Sequence, residues 1–126
     1  MLKLFLIFIG GGVGSVFRFV IGQFVVKWIH TPFPVATCFI NITGSFLIGF
    51  FYALSARSLI DDNLRLLLGV GLCGGFTTFS TFSFESLQLL QKGEYWNFAG
   101  YALLSIVLCV LFVWIGDMAG QLVFND

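Results

Sequence analysis

Gly71-Leu72-Cys73-Gly74-Gly75-Phe76-Thr77-Thr78-Phe79-Ser80-Thr81-Phe82-Ser83-Phe84-Glu85 lies inside the third apolar run of the chain and decides how that run folds. Three glycines followed by a run of Thr, Ser and Phe make a poor helix interior. Backbone that unwinds at membrane depth persists only where protein or a cavity satisfies its polar groups. The stretch therefore predicts a broken third helix, with carbonyls near Gly74 and Thr77 freed. Freed carbonyl oxygens are hard ligands suited to a cation such as sodium, and two copies meeting on an axis can cage one ion between them.

The surrounding composition places this stretch in lipid. The 126 residues are 59% hydrophobic and only 10% charged, with a mean hydropathy of +1.03; soluble domains carry about 25% charged residues. Six basic and six acidic residues cancel, so neither nucleic acid nor an anionic membrane surface is implied as a partner. Cys38, Cys73 and Cys109 sit in apolar runs and read as small packing residues, not as a disulfide or metal frame. Lys3 ahead of an apolar stretch resembles a signal peptide, but the run continues past Gly14 to Val26, which marks a retained helix.

Roughly 20 apolar residues cross a ~30 Å hydrocarbon layer. Four runs meet that length: Leu2 to Trp28, Phe33 to Leu54, Leu64 to Leu90, and Trp96 to Val113 with an extension toward Phe124. The expected fold is an all-α membrane protein of four transmembrane helices forming one domain over residues 1–126. Pro32 and Pro34 turn the chain after the first run. Arg57 to Asn63 forms a charged central connection, and Lys92-Gly93-Glu94 a tight polar one. Trp28, Tyr95 and Trp96 fall where rings favour the membrane interface. Gly10 with Gly14, and Gly44-Ser45 with Gly49, have the spacing of close helix packing.

Charge asymmetry across the membrane is small. One side carries Lys3, Arg57 and Arg65, the other Lys27 and Lys92. A bias of one charge allows insertion both ways up, and hence an antiparallel dimer with its two-fold axis in the membrane plane.

Polar groups at lipid depth are costly and mark candidate sites. Arg18 in the first run costs about 2.5 to 3.5 kcal/mol unless it reaches a carboxylate, backbone carbonyls or water. Glu85 is the other deep charge, a partner or a pore-lining acceptor. Asn41 serves either as interhelical glue or as an amide donor to a dehydrated anion. Phe79 and Phe82 share a helical face, and ring edges carry positive charge able to touch an anion. Ser80, Thr81 and Ser83 add hydroxyls, and Tyr101, Ser105 and Cys109 lie four apart on one stripe of the fourth helix.

These residues carry a resemblance. GGGVGSVFRF, NITGSFLIG and GLCGGFTTFSTFSFE, in that order, resemble the signatures of the small fluoride channels of bacteria, the Fluc or CrcB-type exporters, over essentially the whole chain. The resemblance implies an antiparallel, dual-topology homodimer in the cytoplasmic (inner) membrane, with two fluoride pores and a central structural sodium ion. It implies that Asn41 donates to pore fluoride and that Phe79 and Phe82 supply ring edges. Ser80, Thr81, Tyr101 and Ser105 would form a polar track, with the carbonyls of Gly74 and Thr77 on sodium, Arg18 toward the vestibule, and Glu85 at the acidic position ending the motif. Two positions depart from the family pattern. Phe19 replaces a common tyrosine, and Cys109 stands where Ser or Thr is usual, its thiol a weaker donor.

The main rival is a small multidrug transporter, also short and four-helical, but that class needs an acid deep in the first helix, where this chain has Arg18. A purely structural assembly protein would leave Asn41, Arg18 and the Phe-Ser-Thr run without a shared purpose. An enzyme is disfavoured: His30 is the single histidine and lies in a loop, and no nucleophile–base pair stands out.

Overall fold

The computed structural model describes residues 1–123. All of its regular structure is helical, because in hydrocarbon a chain must satisfy its backbone groups within each segment. In order the elements are α1 (Leu2–Trp28), α2 (Val35–Ala56), α3 (Asp62–Arg65), a π-helical stretch (Leu66–Cys73), α4 (Gly74–Phe76), α5 (Phe79–Gln91) and α6 (Tyr95–Leu122). Elements α3 to α5 together make the third of four helical spans long and apolar enough to cross a membrane.

The sequence places these spans well, with instructive shifts at their ends. α2 begins at Val35, two residues after the expected Phe33, because Pro34 occupies its N-cap and withholds an N–H that a helix start does not need. α3 begins at Asp62, capped by the Asp61 carboxylate, which accepts from the Leu64 amide at 2.9 Å. α6 runs on to Leu122, along the expected extension toward Phe124, a residue that lies outside those described. The turn between α5 and α6 depends on Gly93, whose φ of +75° is left-handed and favours glycine.

Two close crossings set the architecture. α2 and α6 pack face to face, where a Cβ added to Gly49 would overlap the Val113 carbonyl oxygen and one on Gly116 that of Phe46. α1 lies equally close to the first half of the third span, with Gly10 on the Leu67 carbonyl, Gly14 on that of Leu72 and Gly75 on that of Gly11. Small residues permit this approach, and dispersion over the shared area replaces the hydrophobic driving force that lipid cannot supply. The outward faces carry large apolar side chains, and Trp96, 91% exposed, stands at the start of α6.

The third span departs from a regular helix earlier than the glycines predict. It widens into a π-helix from Leu66 and breaks fully at Thr77 and Thr78, whose ψ angles of 158° and 115° are extended. π-helical turns are uncommon and favour functional sites.

Candidate functional site

The break frees backbone groups in the middle of the molecule, and side chains from two other spans take them up. Asn41 of α2 acts as a substitute peptide. Its Oδ1 accepts the Thr78 amide at 2.8 Å, and its Nδ2 donates to the Thr78 carbonyl at 3.1 Å. In an unbroken helix the Thr78 amide would instead bond the Gly74 carbonyl. From α1, Arg18 donates Nη1 to the Thr77 carbonyl at 3.1 Å, and Ser15 Oγ donates to that of Gly75 at 3.4 Å. Arg18 thus meets its need for a partner at depth with a backbone oxygen. Asn41 is interhelical glue, and it spends one of its two amide hydrogens in that role.

Thr78, which sequence reasoning passed over, is the N-cap of α5. Its hydroxyl accepts the Thr81 amide at 3.2 Å and joins the hydroxyls of Ser80 and Thr81 at 3.2 and 3.0 Å. A threonine three residues ahead of Thr81, after a run of glycines, is a capping signal in its own right.

Beside the break lies a cavity of about 430 Å³. Its walls include Asn41, Gly74, Thr77, Thr78, Phe79, Phe82, Ser105 and Cys109, so the structure brings together residues expected from three separate runs. Phe79 is 78% exposed in the single chain, and its ring meets that of Phe82 at 5.5 Å. Ser105 Oγ is buried with the Cys38 thiol in reach but no oxygen or nitrogen partner among the described residues. An uncommitted buried hydroxyl costs free energy unless something occupies the space before it. The start of α5 also borders the cavity, and helix N-termini favour negative charge.

Other expected site residues fall next to this cavity. Ser80 and Thr81 belong to the cap network. Tyr101, fully buried, packs its ring 4.9 Å from that of Phe82 and donates its hydroxyl to Glu85 Oε2 at 2.8 Å. Thr37 donates to the other carboxylate oxygen at 2.8 Å. Glu85 is therefore held from both sides by α2 and α6, and it faces a second cavity of about 370 Å³ nearer the end of α5. No signal in spacing ties Thr37 to Glu85, 48 residues away.

The Gly74 and Thr77 carbonyls offer a partial fit to sodium. Both residues border the cavity, and a Cβ on Gly74 would meet nothing within 4 Å. Thr77 already accepts from Arg18, however, and an ion stripped of water needs more oxygens than two. The set fits a cation only if a second copy doubles it.

Comparison of the sequence with known proteins finds relatives along nearly its whole length. The CrcB-like family, described as "CrcB-like protein, Camphor Resistance (CrcB)", matches residues 5–117. A protein of Phocaeicola vulgatus named "Fluoride-specific ion channel FluC" is 51% identical over 116 residues, covering 92% of this chain and 96% of its own. One of the same name from Shewanella sp. (strain ANA-3) is 43% identical over 125 residues, covering 99% and 98%. With the match spanning nearly all of its length, the chain belongs to the CrcB-like family.

Proposed function

We propose that this chain forms a fluoride-selective channel that lets fluoride leave the cell passively across the cytoplasmic membrane of a bacterium. The working unit is a homodimer of oppositely oriented copies with two pores and a sodium ion held on its axis by the Gly74 and Thr77 carbonyls. The observation that carries the reading is the cavity at the break. There an amide, an uncommitted hydroxyl and two phenylalanine edges converge without a lysine or arginine side chain in the wall, in a chain whose relatives are named as fluoride channels.

Fluoride is small and strongly hydrated, so a pore must replace its water with several donors that still release it. The second Asn41 amide hydrogen and the Ser105 hydroxyl are such donors. The edges of Phe79 and Phe82 add weak positive charge. Ser80, Thr81 and Tyr101 extend the polar lining, with Glu85 orienting the Tyr101 hydroxyl. Arg18 keeps further guanidinium hydrogens to attract anions toward the vestibule. The near balance of Lys3, Arg57 and Arg65 against Lys27 and Lys92 supports dual topology, and the open surface at Gly74 and Phe79 is where a second copy would complete the walls.

Efflux from liposomes carrying the purified protein, read with a fluoride electrode beside a matched chloride experiment, tests the reading. Fast fluoride loss with little chloride loss is expected. Correctly folded protein that passes no fluoride would overturn it, and drug-driven proton release would put the multidrug transporter first.

A further inference from the structure

The second cavity has no role in the account so far. It is walled by the end of α1 (Val25, Val26, Ile29), the proline loop, the start of α2 and the end of α5, with Glu85 among its lining residues. His30, Thr31, Gln88 and Lys92, all exposed, also line it, so it opens to the membrane face where α1 and α5 end.

The cavity at the break and this one are linked through Tyr101. Tyr101 touches Phe82, which lines the first, and donates to Glu85, which lines the second. Ser105, in the first, lies one turn along α6 from Tyr101. The series Phe82, Tyr101, Glu85 thus runs from the first cavity to the second. The charged groups lining that mouth are Lys92, exposed at its rim, and Glu85, half-buried with both oxygens already hydrogen-bonded. Lys27 lies near the same end of α1 with its ammonium over the Trp28 ring, and the Glu94 carboxylate accepts from Asn97.

We infer that the cavity over Glu85 is the antechamber through which fluoride enters from this face, and that Lys92 is the cation that sets its entry rate. The inference rests on the fluoride-channel reading above. An ammonium at the rim of the mouth concentrates anions there without binding them inside the pore.

The test is fluoride efflux from liposomes at low fluoride, comparing wild type with Lys92→Gln and Lys92→Glu at about 10 mM and about 1 M background salt, where the Debye length falls from ~30 to ~3 Å. At low salt, efflux should drop about twofold on removing the charge and about fivefold on reversing it, the Boltzmann factors of one and two unit charges roughly 8 Å away in water. At high salt the three proteins should converge. Gln88→Trp, which fills the same mouth from an exposed position, should cut efflux at both salts. Charge variants equal to wild type at low salt, a loss that salt does not relieve, or unaffected efflux in Gln88→Trp would overturn the inference while wild-type flux upholds the channel. Wild type without fluoride efflux would overturn both.

Discussion

The α2–α6 pair and the third span face the same demand, to leave no backbone group unsatisfied in lipid, and meet it in opposite ways. α2 and α6 are unbroken, and glycines bring them within backbone contact. The third span gives up its own ladder from the Thr78 amide onward and borrows partners from Asn41, Arg18 and Ser15. The first solution keeps both ladders intact and leaves no backbone group free for chemistry. The second costs side chains from two other helices but exposes donors and carbonyls around a cavity. Polar groups and a cavity gather where helical regularity is abandoned.

The sharpest way to break the comparison is to damage the unbroken side. Gly116→Leu drives a side chain into the Phe46 carbonyl; overpacking costs about 1–3 kcal/mol or more, and here only backbone can yield. We expect loss of monodisperse protein on size-exclusion chromatography, and an unchanged elution profile would show that the α2–α6 crossing is not needed.

Asn41→Leu attacks the other side. It orphans the Thr78 amide and carbonyl together, each at about 1–3 kcal/mol, so the thermal midpoint should fall clearly while some folded protein survives. That survivor should lose at least about tenfold in fluoride efflux, roughly 1.4 kcal/mol of barrier. Full efflux would separate the clasp from the pore. Thr78→Val sharpens the contrast with a smaller effect: removing the cap should cost about 1 kcal/mol, visible as a modest fall in midpoint, and a midpoint equal to wild type would mean that the cap hydroxyl contributes nothing.

How much of this was legible in the sequence follows the same division. Four spans and their turns were readable because length, apolarity and proline act locally. The break was readable from its glycines, but its form was not: the π-helix at Leu66–Cys73 accompanies contact between α1 and the Leu67 and Leu72 carbonyls, which no local pattern encodes. The extension of α6 toward Phe124 was readable too, because Gly116, Asp117 and Gly120 lower the apolar signal without ending the helix, and two of them are buried. Asn41, Phe79, Phe82 and Ser105 were identifiable as polar or aromatic groups at depth. Their meeting in one cavity, and the hold of Thr37 and Tyr101 on Glu85, are products of tertiary packing alone.

The central claim is that fluoride passes the Phe79–Phe82 pair beside the break. The most direct measurement is fluoride efflux through the Phe79→Ile and Phe82→Ile variants, singly and together, in protein shown to be folded. Phe79 is largely exposed in the single chain, so its replacement should leave the fold of each copy nearly unchanged while the double variant loses about tenfold or more in efflux, about 1.4 kcal/mol. Folded double variant conducting fluoride at the wild-type rate would contradict the account.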